Sequence, residues 1–195
     1  MTNRQGFTLI EAMVAYMLLA ILFLMMFFIY RTGASAWKKS EAQTQLLQEA
    51  QVITGRLSRE IERSVYASAV LDPGPGTGTA VAFLTCWNDA TQEYDYDPGT
   101  RSPLWHKYLI CYYNSATREV FWTETPLVPP SSTPAPLVGL AGFRTGGKLL
   151  ARNVTRCDFT LSEDMLELQL ELSRKRYGSE TLEVVQLPLR VFFRN

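Results

Sequence analysis

Histidine is nearly missing from this chain: His106 is the only one in 195 residues. A histidine-based catalytic triad would need it beside a nucleophile and an orienting carboxylate, and no local motif supplies them. It stands in an apolar stretch between Trp105 and Lys107, near Tyr108, where a hydrogen-bonded structural imidazole is the expectation. Cysteine is also sparse. Cys86, Cys111 and Cys157 have neither the close spacing of a zinc site nor a Cys-x-x-Cys redox motif. Three pairings are open, with Cys86–Cys111 the first expectation because both lie in one strand-rich region, and three buried unpaired thiols are the alternative. Neither sign of charge is in excess, with 19 Lys and Arg against 19 Asp and Glu, so nothing in the balance points to nucleic acid or an acidic substrate. The densest basic cluster, Arg174-Lys175-Arg176, reads as a solvated turn.

Proline is absent until Pro73, and only Gly6, Gly33 and Gly55 interrupt the same stretch as potential helix breakers. What fills it is apolar and helical. Ala12 to Tyr30 is a run of 19 residues without charge, Pro or Gly, long enough to cross a bilayer as a helix. Helical spacing continues beyond it: Leu46, Ala50, Ile53, Leu57, Ile61 and Val65 recur every three or four residues, a stripe suited to packing on a sheet. Gln48, Glu49, Arg56, Arg59, Glu62 and Arg63 lie away from it. A helix from about Thr8 to Tyr66 would measure roughly 90 Å.

The segment ahead of the apolar run is short and polar, and then reads Gly6-Phe7-Thr8-Leu9-Ile10-Glu11. No small-residue cleavage site follows the run, so this is not an ordinary secretory signal. The stretch resembles the processing signal of type IV pilins and type II secretion pseudopilins. The resemblance implies a cut between Gly6 and Phe7 by a prepilin peptidase, N-methylation of Phe7, and retention of the apolar helix. It also implies an assembly role for Glu11. A carboxylate at the hydrocarbon edge needs a partner, and the Phe7 amine stands four residues away on the same helical face. In the family the corresponding glutamate is thought to pair with the amine of a neighbouring subunit.

Downstream, Asp72-Pro73-Gly74-Pro75-Gly76-Thr77-Gly78 breaks the helix. Its prolines, and the lack of a Gly-Lys-Ser/Thr, argue against a nucleotide loop. Strands are expected over Ala80–Trp87, Leu104–Tyr113, Glu119–Glu124 and Leu149–Leu161. A hairpin is expected from Met165–Ser173 and Leu182–Phe193, the latter broken or edged at Pro188. Thr125–Pro136, with five prolines, reads as a loop. The loop Asn88–Gly99 carries Asp89, Glu93, Asp95 and Asp97; a solvated acidic loop is preferred to a calcium site because the spacing is not that of an EF-hand. Tyr94, Tyr96, Trp105, Tyr112, Tyr113 and Trp122 are candidates for a binding patch, most of them expected in the core.

The expected fold is α+β. Residues 1–6 form a leader, 7–30 a membrane and filament-core helix, 31–71 its amphipathic continuation, and 72–195 an antiparallel β-rich head. The resemblance implies a lollipop-shaped structural subunit; from the residues themselves no enzyme, cofactor or metal is expected, although some major pseudopilins bind calcium in the head. The large head looks like that of a minor pilin or a larger minor pseudopilin such as the J-type subunit. It implies as partners other major and minor pilin-like subunits, the prepilin peptidase and the inner-membrane assembly platform, with DNA or a secreted substrate as a further possibility. The implied place is the inner membrane, crossed once, with the head in the periplasm or outside at a filament tip. One pattern runs against this: Arg31, Lys38 and Lys39 follow the apolar run whereas Arg4 alone precedes it, and a positive-inside count would place the head in the cytoplasm. The alternative function is a filament-displayed module that binds DNA, a surface or a secreted substrate.

Overall fold

The computed structural model describes residues 8–72, 77–133, 137, 139–175 and 180–193. Helix α1 spans Leu9–Ile61, 53 residues and so about 80 Å. It ends short of the expected 66 to 71. Val65 is extended, Tyr66–Ser68 form a 3-10 turn, and Val70–Asp72 are already strand β1. The reason lies in two serines. The Ser64 hydroxyl donates to the Leu84 carbonyl, and the Leu84 N–H donates to Ser68 Oγ at 3.2 Å. These bonds to the sheet replace further helical turns, so residues past Ile61 belong to the head.

The head's remaining strands are β2 (Thr77–Gly78), β3 (Ala80–Thr85), β4 (Trp87–Asn88), β5 (Glu93–Tyr94), β6 (Trp105–Asn114), β7 (Glu119–Ser131), β8 (Lys148–Ala151), β9 (Val154–Ser162), β10 (Met165–Lys175) and β11 (Leu182–Phe192). They form a five-stranded sheet in the order β1-β3-β6-β7-β8, a four-stranded sheet β11-β10-β9-β2 and a small β4-β5 hairpin. All the pairings are antiparallel.

Two expectations about the strands are corrected. Residues 125–131 are the end of β7 and not a loop, because β8 pairs only with residues 120–122. Beyond that point no described strand pairs with this edge of β7, and proline's missing N–H breaks no ladder there. The expected strand over Leu149–Leu161 is two strands. Asn153, at φ 58°, turns the chain between β8 in one sheet and β9 in the other. Asn tolerates this left-handed conformation better than most residues. Pro188 sits within an unbroken β11, opposite Gln169, on the outermost strand of its sheet.

One core joins helix and both sheets. Leu46, Ala50, Ile53, Leu57 and Ile61 are fully buried and meet Val81, Phe83, Leu109 and Trp122 from one sheet and Phe159, Leu166, Leu168 and Leu170 from the other. Alternation along β10 puts its leucines inside and Glu167, Gln169 and Glu171 outside. The opposite face of the five-stranded sheet is closed by the chain around Leu140, which packs on Ala80, Ala82, Ile110 and Tyr112. The result is a long N-terminal helix with an antiparallel β head on its C-terminal half, a pilin-like lollipop.

Strand β11 runs alongside α1. Gln43 Nε2 donates to Glu183 Oε2 at 3.3 Å near the start of the head, and Phe193 meets Tyr66 edge-on at 5.7 Å at its far end. The helix rises roughly 27 Å from residue 43 to 61, and the turn that follows carries the chain toward the far end of β11, which rises roughly 33 Å from 183 to 193. Lys175 at the end of β10 and Leu182 at the start of β11 therefore lie at the end of the head nearest the apolar helix.

Candidate assembly interface on the N-terminal helix

The first helical turn is built by a capping box. Thr8 is extended, and its hydroxyl oxygen accepts from the Glu11 N–H at 3.3 Å. Glu11 Oε2 in turn accepts from the Thr8 N–H and from the Thr8 hydroxyl, each at 2.9 Å. Two backbone donors that the helix start leaves unpaired are thereby satisfied. The Thr-x-x-Glu spacing is a helix-start signature legible in the sequence, and it adds a capping role to the amine partner expected for Glu11. Gly6 and Phe7 lie outside the described residues.

From Leu9 to Tyr30 every residue except Ala12 is exposed, among them Leu9 at 80%, Ile29 at 73% and Tyr30 at 75%. Among the described residues nothing covers this surface. The head first buries a helical residue at Ala42. Ala12–Tyr30 measures about 28 Å, close to the roughly 30 Å hydrocarbon thickness of a bilayer. Such a helix is stable only inside lipid or among other apolar helices. Among the described residues it is the one helix long and apolar enough to cross a membrane.

The head's candidate residues are occupied with folding. His106 Nε2 and Asp95 Oδ2 lie 2.8 Å apart, and the Asn88 amide donates to the same oxygen at 2.8 Å. Asp89 accepts from Lys107 at 2.6 Å, and Asp97 accepts from Thr100 and the Gly99 N–H at 2.7 and 3.0 Å. The acidic loop thus turns its carboxylates to separate partners. Among the described residues no group of three or more His, Cys, Asp or Glu side chains converges as for a metal. Trp105, Tyr112 and Trp122 are buried, Tyr94 and Tyr113 half-buried, and only Tyr96 of the six aromatics is exposed. The glycine-proline loop at 73–76 and Arg176 lie outside the described residues, while Arg174 and Lys175 are exposed at the end of β10.

The Cys86–Cys111 pairing is not formed: none of the three cysteines is in a disulfide, and all are buried. The strand register explains it. Thr85 stands opposite Lys107 and Val81 opposite Cys111, so Cys86 lies at the far end of β6 from Cys111. Their backbones are on the order of 15 Å apart, twice what a disulfide spans. Cys111 and Cys157 share the main core, whereas Cys86 packs with Leu84, Trp105 and Tyr108. Burial pushes the Cys111 thiol up to about 12 and the Cys157 thiol well above its usual range, which suppresses the thiolate.

Residues 1–27 match the prokaryotic N-terminal methylation motif. No curated protein and no solved structure matched the chain. The matched segment contains Gly6, Phe7 and Glu11 and runs into the exposed apolar helix. A methylation motif typical of type IV pilins and pseudopilins thus stands at the start of a chain whose long helix and antiparallel head form a pilin-like lollipop.

Proposed function

We propose that the protein is a minor pilin or pseudopilin that primes or caps assembly of a type IV pilus or a secretion pseudopilus. The observation that carries this is the methylation motif running directly into an apolar helix from Leu9 to Tyr30 that the other described residues leave uncovered. Prepilin peptidase cuts after Gly6, and Phe7 becomes the methylated first residue. The helix is held in the inner membrane until the assembly platform moves it among the helices of other subunits. Van der Waals packing dominates there, and Glu11 supplies the specific polar contact. A low-abundance position is favoured over a shaft position by the breadth of the head, with sheets of five and four strands, and by the lack of proline in the apolar segment.

The test is a count of surface filaments, and of secreted protein, in cells with and without this gene. Loss of either, restored by the wild-type copy and not by Glu11→Ala, is the expected result. An N-terminus still carrying Met1–Gly6 in the assembled fraction, or full function of Glu11→Ala, would overturn the reading.

A further inference from the structure

Between the apolar helix and the head lies a surface that the assembly role leaves unexplained. Trp37 is 75% exposed on α1, and Arg31, Lys38 and Lys39 around it are exposed as well. The head's nearest end adds more positive charge. A groove beside the helix is lined by Trp37, Lys38, Glu41, Arg174 and Lys175. Of the carboxylates facing this region, Glu180 is bonded to Lys175 at 2.7 Å, Glu183 accepts from Gln43, and Glu41 lines the groove. Among the described residues the surface remains net basic: five cations, Arg31, Lys38, Lys39, Arg174 and Lys175, face these three acids.

Position identifies the occupant. Trp37 comes seven residues after Tyr30, about 10 Å beyond the apolar run, and helical side chains lean back toward the N-terminus. The polar headgroup band is about 5–7 Å deep on each side of the hydrocarbon. Trp37 and the three α1 cations therefore reach the band, and Arg174 and Lys175 stand near the distance over which charge is felt in salt solution. Tryptophan favours this amphipathic zone, and Lys and Arg are drawn to anionic headgroups there.

We propose that Arg31, Trp37, Lys38 and Lys39 form a collar that binds anionic phospholipid headgroups on the leaflet nearest the head. The collar seats the head on the membrane before assembly. It also accounts for basic residues on the side of the helix where the positive-inside rule does not expect them. The proposal rests on the reading of Leu9–Tyr30 as a membrane anchor.

The full chain is reconstituted into vesicles of phosphatidylcholine, with or without phosphatidylglycerol, and insertion is checked by alkaline carbonate extraction. Phosphatidylcholine brominated near the glycerol end of its chains should quench part of the tryptophan fluorescence in the wild type and not in Trp37→Phe. Spin-labelled phosphatidylglycerol should be enriched at the protein boundary about five-fold over phosphatidylcholine, and Arg31→Gln/Lys38→Gln/Lys39→Gln should bring the ratio to about one. An inserted chain with equal ratios in wild type and variant, or with no Trp37-dependent quenching, overturns the collar. Quenching protection that appears only at high protein-to-lipid ratio assigns the face to a second copy and also overturns it. A chain extracted by carbonate overturns the anchor reading, and the collar with it.

Discussion

Arg56 on α1 donates to Glu124 Oε1 on β7 at 2.8 Å, across the joint between the helix and the five-stranded sheet. The other oxygen of Glu124 accepts from Lys107 at 2.8 Å, and the Trp122 indole N–H donates to Oε1 at 3.1 Å. Burial alone would raise the Glu124 carboxyl. The Lys107 hydrogen bond and charge, the Trp122 bond and the Arg56 charge outweigh it, and the group lies below its ordinary 4.5. A carboxyl depressed on folding adds stability above its unfolded value and loses it as pH falls through the lower folded value. Glu124→Gln should therefore cost on the order of 1 kcal/mol at neutral pH, a figure kept small because the side chain is partly exposed. The difference from wild type should vanish in acid denaturation series taken below the folded value. Glu60 has the opposite sign. Burial raises its carboxyl despite Arg63, Lys107 and Arg56, so its charge opposes folding at neutral pH, and that penalty disappears as pH falls. Glu60→Gln should leave stability equal or higher at neutral pH, measured by the same denaturant midpoints.

A second prediction concerns backbone. Gly147 adopts φ +101°, and a Cβ there would lie 2.4 Å from Thr123 Oγ1 and 2.7 Å from the Trp122 carbonyl oxygen. Left-handed strain and overpacking add, at about 1–3 kcal/mol each. Gly147→Ala should lower Tm by at least about 4 °C in detergent-solubilised full chain. Gly142→Ala, with open space around its Cβ and no positive φ, should leave Tm within about a degree.

The buried thiols give a third. Cys111 is pushed up to about 12 by burial and Cys157 is raised further than its ordinary range, so neither carries thiolate at mildly alkaline pH. Iodoacetamide should leave both unmodified in the folded chain and alkylate both in denaturant, as read by peptide mass spectrometry. Native-state modification of either residue at the rate of a free peptide thiol would contradict the burial.

Much of this architecture is legible in the sequence where one local period decides it. The stripe from Leu46 to Ile61 predicts the buried helical face, and the Leu166-to-Leu172 alternation predicts β10 and its partner. The legibility stops where distant contacts choose. Nothing near Ile61 reveals that Ser64 and Ser68 will bond to Leu84 and stop the helix. Nothing near Pro126 reveals that β8 is short and that no described strand pairs with this edge of β7 beyond it, where proline is harmless. Asn153 lies inside an otherwise strand-like run, and only the two sheets on either side of it show that it turns the chain. The cysteine pairing failed for the same reason: adjacent strands were read correctly, but the register that separates Cys86 from Cys111 is set by the whole sheet. At the candidate site the motif itself was readable, because six contiguous residues carry it. The hydrogen bonds of Glu11 emerged only with the geometry of the first turn.

Those bonds give Glu11 two separable tasks. As a helix cap it must accept hydrogen bonds from Thr8, and a glutamine oxygen accepts as well as a carboxylate oxygen. As the polar contact proposed for it in an assembled filament it would hold a negative charge against an amine, and glutamine has none. Glu11→Gln should therefore retain the helical content of wild type by circular dichroism in micelles and still fail to restore filaments or secretion. Thr8→Ala loses the hydroxyl half of the box, about 1 kcal/mol of helix start, and keeps the charge. It should fray the first turn, seen as faster amide exchange at Glu11, while assembly stays near wild type. Assembly restored by Glu11→Gln and abolished by Thr8→Ala would reverse the assignment, making the cap the functional contact and the charge incidental.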